Sequence, residues 1–541
     1  MSKFIQPDTL KTDKVVPFSG GAGNEVWSML EACAAGRTEV VRELLGKKPS
    51  LSVCSWAYYS PIHFAVKEGH AEIVHMLLEH GADITATGVS WVDTPLQIAK
   101  DRGHSGIASM LEEHMERTLH SNTLGDTVAA LIRERKESEV IRLIAEHPDA
   151  VRSSDERGNT PLHWAVLTRQ LKLIDFFIEQ GADTEARRAD GCQPVHLVME
   201  GDYFYRANRN LPGEAIRNHW FLLGYLIARG ARYDLYTAAA VGDTDFLRDS
   251  LAQDPGRAVV KDASGRSALY YAAKHGYEHA VKKLLEHGAD PNQAEEGAPN
   301  GAALYAAAAG NHLSCAKLLL EHGADVNANV ESSGNPVFIA MSKGYDEMRD
   351  LLYMYGGTVT LASACWMGRM ELVGEILAAD PSAANSGDDF GPLTLAAGFG
   401  QASIVRLLLK YNADLNRPWY VNNHMGYAFR SGAEMVKLLL EHGADPNLTS
   451  WLGVSYLHVL ASQGNIELAK LLIDRGAEID AVDDEHCTTP LGWAAKYGQT
   501  EMAAFLLERG AKRAPAGVPE WASPIAWASR RGHQSIVEML R

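Results

Sequence analysis

Residues 60–83 read SPIHFAVKEGHAEIVHMLLEHGAD. A hydroxyl followed by proline opens a short apolar run. Ser60 can cap the orphan N–H groups of a helix, and Pro61 fits its first turn. Small residues in mid-helix, such as Ala65, let a neighbouring helix come close. Gly69 ends the helix, because a residue without Cβ takes a left-handed cap at little cost. From Ala71 onward apolar residues return at helical spacing, and Gly81 closes that second helix. The stretch predicts helix, turn, helix and a polar loop.

The unit recurs along the chain. LLEHGAD stands at Leu77–Asp83, Leu284–Asp290, Leu319–Asp325 and Leu439–Asp445, with looser copies ending at Asp183, Arg232, Asp414, Glu478 and Lys512. Gly288 to Gly323 is 35 residues, Gly323 to Gly356 and Gly443 to Gly476 are 33, and Gly476 to Gly510 is 34. The opening string keeps step, as TPLHWAV at 160–166, QPVHLV at 193–198, SALYYAAKHGY at 267–277, SYLHVLASQGN at 455–465, TPLGWAAKYGQ at 489–499 and SPIAWASRRGH at 523–533. These residues resemble the ankyrin repeat, with its period of about 33 and its Thr-Pro-Leu-His signature. The resemblance covers nearly the whole chain. It implies an all-α solenoid of about 15–16 helix-turn-helix units over residues 24–541, with β-hairpin fingers between units and a concave groove lined by fingers and inner helices. Residues 1–23 read as a flexible lead. No segment of even 100 residues is left for a separate catalytic domain.

Composition sets further limits. The 541 residues are 46% apolar and 22% charged, a globular balance that excludes general disorder. A net charge of −17 argues against nucleic acid and against an anionic membrane as partners. No apolar run is long enough to span a bilayer; the longest alanine-rich stretch is Ala302–Ala309. The N-terminus shows no apolar segment of a secretory signal, so the expected location is cytoplasmic. Six cysteines, at 33, 54, 192, 315, 365 and 487, form no close pair and fit neither a disulfide framework nor a zinc site.

The irregularities are the places to look for function. Four units, at 33–50, 135–150, 239–255 and 365–381, lack the opening string of the next loop and end in a proline-containing turn. One unit is stretched: Gly181 to Gly230 is 49 residues. The excess lies within 201–220, about 201–218 between the two helices. It carries Tyr203, Phe204, Tyr205, Arg206, Arg209 and Trp220, and aromatic faces beside arginine are a recognition mixture. Asp190 precedes it. The loops also carry aromatics where ankyrin fingers usually hold Asp, Asn or Gly: Trp56, Tyr58, Tyr59, Trp91, Trp419, Tyr420 and Trp451. Exposed there, they would anchor a partner.

Chemical motifs are weak. His63, His163, His196 and His458 occupy the signature position, where histidine satisfies adjacent turns. His80, His287, His322 and His442 precede a helix-ending glycine, where a cation suits the dipole. His424 and His486 are off-pattern, but no HExxH or CxxC accompanies them, so no metal and no cofactor is expected. The paired acids 295–296, 388–389 and 483–484 point to opposite sides of extended chain. No nucleophile elbow, Walker loop or dinucleotide fingerprint is present.

The functional expectation is a scaffold that recognises a protein partner through aromatic fingers and groove. An enzyme or small-ligand receptor stays open as an alternative, with 201–220 as a lid and Asp190, Tyr203, Tyr205, Arg206 and His219 as its first candidates. A third reading is a secreted effector that mimics eukaryotic ankyrin proteins.

Overall fold

The computed structural model describes residues 5–16, 19–85, 92–199, 201, 202, 205, 207–295, 298–330, 333–387, 390–417 and 419–541. Two compact units result: Thr12–Thr358, and Val359–Arg541 together with the residues up to Lys11. Among the described residues, ten helix pairs succeed one another in the longer unit and six in the shorter.

Within each unit the pairs stack into two layers. First helices pack on first helices: Gly23–Ala35 on Pro61–Lys67, and Leu235–Val241 on Ala268–Lys274 on Ala303–Ala309. Second helices pack likewise, with Thr38–Lys47 on Ala71–Glu79 on Ser105–Leu119. The first helices are short and rich in alanine. Ala65, Ala165, Ala272, Ala307 and Ala494 are fully buried, which is why their neighbours can sit close. The second helices bury a leucine stripe; Leu77, Leu284, Leu319 and Leu439 are all 0% exposed, and burying each such side chain contributes about 1.5–3 kcal/mol.

Local hydrogen bonds explain the repeated letters. At Thr160 the backbone N–H donates to His163 Nδ1 at 3.2 Å, while His163 N–H reaches back to the Thr160 hydroxyl at 3.4 Å. This reciprocal cap recurs at Ser60/His63 and Ser455/His458. The other ring nitrogen reaches the next loop, at the Cys192 carbonyl for His163 (3.1 Å) and at the Thr488 carbonyl for His458 (3.2 Å). His80, His287, His322 and His442 each set Nδ1 2.8 Å from the carbonyl four residues back, so they close the second helix by a hydrogen bond. The asparagine after Gly-Ala-Asp clamps the next unit with both ends. Asn292 donates to the Gly323 carbonyl at 2.8 Å and accepts from Asp325 N–H at 2.7 Å; Asn327, Asn416 and Asn447 repeat the clamp.

The expected β-hairpin fingers are not confirmed among the described residues. The described loops hold only isolated bridges, such as Trp56 with Tyr59 and Lys261 with Ser267. An aspartate at the loop base competes with such pairing. Asp155 Oδ1 accepts from the N–H groups of Arg157 (3.0 Å) and Asn159 (2.9 Å), so a side chain takes donors that a strand ladder would use. The four irregular units share one device: each ten-residue second helix runs into a 3-10 helix that begins at proline, at Pro49–Val53, Pro148–Val151, Pro255–Val259 and Pro381–Asn385.

The segment before the array has defined pairing. Asn24 N–H donates to the Thr12 carbonyl at 2.9 Å, Gly23 N–H to that of Lys14 at 3.2 Å, and Leu10 is fully buried.

Candidate functional site

The first helix of most units gives way to a glycine in the left-handed region, as at Gly69 (φ 80°) and Gly276 (φ 77°). Glycine is needed there because the next unit lays a side chain against it. A Cβ on Gly276 would stand 2.4 Å from His312 Nδ1. In two consecutive units of the longer body the position is instead arginine. Arg135 and Arg169 both adopt φ 58°. A left-handed non-glycine residue costs about 1 kcal/mol or more, and such outliers gather at functional positions.

These arginines precede the break in the period, and both act on Tyr205 of the insertion. Arg135 Nη2 donates to the Thr168 carbonyl at 2.7 Å, tying one unit to the next. Arg169 Nε and Nη1 are buried and have no hydrogen-bond partner among the described residues. Arg133 lies 5.0 Å from the centre of the Trp164 ring, and Tyr205 of the insertion meets the same ring edge-on at 5.7 Å. Burial raises the pKa of the Tyr205 phenol despite the three arginines near it.

On the far side of the insertion the helix His219–Ile227 begins on an Asn218 cap. It brings Trp220 to 4.6 Å from the His275 ring. Trp220 and Phe221 stay 39% and 47% exposed. Burial, then the charges of Lys274, His219 and His312, push His275 down to about 4, so it is neutral at pH 7. Its Nε2 is buried and lacks a hydrogen-bond partner among the described residues. His219 is lowered too, by burial and by Arg169 and Lys274. Two buried Arg169 donors and the buried His275 Nε2 therefore lack an acceptor among the described residues.

The structure sorts the residues marked in the sequence. Asp190 is bound by Arg188 through two bonds of 2.8 and 2.7 Å, and Arg188 also reaches Asp202 at 2.5 Å and Asn159 at 3.2 Å. Burial opposes the Asp190 charge, but Arg188 and the Cys192 N–H hold its pKa below the ordinary value. Arg188 thus fastens the loop to the base of the insertion, and Asp190 holds its guanidinium in place. Trp56 and Tyr58 are half-buried, in a tight turn where Ala57 and Tyr58 have φ of 51° and 67°. Tyr59 is buried against Phe64, at 5.6 Å. Trp419 and Trp451 are only 3% and 7% exposed. Trp419 stacks on Tyr456 at 6.0 Å, and Tyr420 meets Trp451 at 6.1 Å. The late aromatics therefore pack loop to loop, and no exposed anchor is formed by Trp419 or Trp451. Trp91, Tyr203 and Arg206 lie outside the described residues.

Sequence reading passed over Arg135, Arg169 and His275. A signal existed for the two arginines. Aligned in register, IRERKE and VLTRQL put arginine where VKEGHA has glycine.

In the shorter unit, His424 lines a cleft of about 50 Å³ beside Asn385, Asp414, Arg417 and Tyr420. That is well below the roughly 300–1,000 Å³ of typical ligand pockets. Burial drives His424 down to about 4. Among the described residues no three His, Cys, Asp or Glu side chains group as a metal site, and no helix is long and apolar enough to cross a membrane. Burial raises Cys54, Cys192 and Cys365 to about 12, so these thiols stay protonated.

Comparison with known proteins agrees with this architecture. The family model for ankyrin repeats (3 copies) matches residues 28–88, 96–188, 222–295, 293–363, 361–450 and 457–541. NF-kappa-B inhibitor zeta of Bos taurus is 27% identical over 230 residues, covering 34% of this chain and 31% of that protein. Oxysterol-binding protein-related protein 1 of Homo sapiens is 31% identical over 232 residues, covering 36% of this chain and 24% of that protein. An ankyrin repeat protein of fowlpox virus is 27% identical over 147 residues, 27% of this chain and 97% of the viral protein. The first two relatives are thus matched over less than a third of their own length.

Proposed function

This chain belongs to the ankyrin-repeat family, and on that premise we propose that it is a scaffold that holds a protein partner on the face of its longer unit around the insertion. The observation that carries the reading is the pair Trp220 and Phe221, 39% and 47% exposed on the helix just past the break in the period. Large aromatic side chains kept at a surface are the residues that anchor interfaces. The half-buried Tyr205, edge-on to the Trp164 ring, and the exposed Arg133 guanidinium over that ring extend the same surface. NF-kappa-B inhibitor zeta is named for action on NF-kappa-B, and a comparable binding role, with a partner of its own, is what we assign to this chain.

In this reading the loop aromatics divide. Trp56 and Tyr58 serve as a secondary contact, and so do Trp91, Tyr203 and Arg206. Tyr59, Tyr420, Trp419 and Trp451 hold neighbouring loops in register.

The test is affinity capture from lysate of the source cell, with wild type beside a variant carrying Trp220→Ala and Phe221→Ala. The expected outcome is a protein held by wild type and lost by the variant, with the helical circular dichroism unchanged. Equal capture by both, or capture of nothing by wild type, would overturn the assignment.

A further inference from the structure

The surface around Arg169 carries a more specific prediction about what is held there. Arg169 has two buried nitrogens without a hydrogen-bond partner among the described residues, and His275 has one. A buried donor without an acceptor costs about 1–3 kcal/mol, more when the group is charged. The charges that act on Arg169, His219 and His275 among the described residues are Lys274, His312, one another and the Tyr205 phenol; no carboxylate is among them. Acids of the same stretch are engaged elsewhere: Glu134 pairs with Lys136 at 2.8 Å, and Asp202 with Arg188. In a chain of net charge −17, arginines and neutral histidines with no paired acid among the described residues stand against the background.

Backbone strain is the second, independent observation. Glycine fills this cap position in most units and would relieve the strain, yet two adjacent units carry arginine at φ 58°. The side chain is therefore what the position retains. Arginine is suited to carboxylate and phosphoryl oxygens, whose hydrogen bonds it strengthens by charge.

We infer that Arg135, Arg169, His219 and His275 form a docking site for an anionic side chain, carboxylate or phosphoryl, on an extended segment of the partner protein. The inference rests on the scaffold reading above and names the chemistry of its partner. An extended segment fits better than a free ion for two reasons. The two arginines belong to consecutive units and so lie along the array, and the half-buried Tyr205 and the exposed Trp220 offer aromatic surface beside them for the flanking residues.

The experiment measures fluorescence anisotropy of three short labelled peptides. One alternates glycine with glutamate; the others replace glutamate by phosphoserine or by glutamine. Wild type is compared with Arg135→Gly plus Arg169→Gly, and with Arg248→Gln, which removes an exposed cation elsewhere on the same unit. The double variant gains relief of strain but loses the Arg135–Thr168 bond, so binding is compared at a temperature where the melts of both proteins show them folded. The expected result is binding of the glutamate or phosphoserine peptide, weakened about tenfold or more in the double-glycine variant and unchanged in Arg248→Gln. Binding of the phosphoserine peptide alone would assign a phosphoryl group, and binding of both a general anion. Equal binding of the glutamine peptide, equal affinity in the double variant, or an equal loss in Arg248→Gln would overturn the inference. Lysate capture separates the two proposals. A protein held equally by wild type and the double-glycine variant leaves the scaffold standing and removes the anion site. No protein held by wild type removes the scaffold itself.

Discussion

Asp155, Asp262 and Asp483 stand at the base of three loops, and each takes a donor from an aromatic side chain of the next helix. Trp164 Nε1 reaches Asp155 at 2.8 Å, the Tyr271 hydroxyl reaches Asp262 at 2.8 Å, and Trp493 Nε1 reaches Asp483 at 2.9 Å. The carboxylates are buried, so a lost donor is not replaced by water. Trp493→Phe is expected to cost about 1–3 kcal/mol, read as a lower denaturant midpoint with unchanged slope. A midpoint equal to wild type would show that the indole bond is dispensable. The signature histidines give a pH signature. Burial drives His163 down to about 4, against about 6.5 for an unfolded chain. Between those values the unfolded state binds more protons than the folded one. Stability from this residue is therefore complete above about pH 6.5 and is lost as pH falls toward 4, at up to about 1.4 kcal/mol per pH unit. His163→Gln should flatten that part of the stability profile between about pH 7.5 and 4.5; an unaltered slope would contradict the assignment.

At the scale of the element, each unit is fastened at the ends of its helices. The first helix ends on a glycine against which the next unit lays a ring, and that ring then bonds back: His312 Nε2 sits 3.1 Å from the Lys274 carbonyl. Gly276→Ala is therefore penalised twice, for φ 77° and for a Cβ placed 2.4 Å from the His312 ring. We expect a loss of about 2–3 kcal/mol. Gly288 has φ 86° but open space around its missing Cβ, so Gly288→Ala should cost only about 1 kcal/mol. Thermal melts of the two variants side by side measure the difference, and equal losses would mean that the ring contact contributes nothing.

For the whole molecule, a stack in which each pair touches chiefly its neighbours has nearest-neighbour stability. Deleting residues 516–541 removes the last pair, Pro524–Arg530 and Gln534–Leu540. It should expose Met502 and Leu506, both buried in the intact chain, and loosen the adjoining helices. Amide exchange across residues 24–230, which lie in the other compact unit, should not change. Loss of protection there would show cooperativity that a stack of local contacts does not predict.

The sequence by itself determined the repeat. Ser/Thr-Pro, the mid-helix alanines and the Gly-Ala-Asp endings act within one period, and local caps and helical spacing are legible without a tertiary fold. It also marked residue 201 onward as the break, because an insertion shows as a spacing. Only the tertiary structure decided which aromatics are anchors. Trp419 and Trp220 are both tryptophans in irregular stretches, yet one is stacked on Tyr456 from the next unit and the other stays at the surface. Burial of a loop side chain is set by residues a whole repeat away, and no local pattern encodes it. The same holds for Arg169. Its replacement of a glycine is written in the sequence, but that two of its donors find no acceptor among the described residues is set by its neighbours in space.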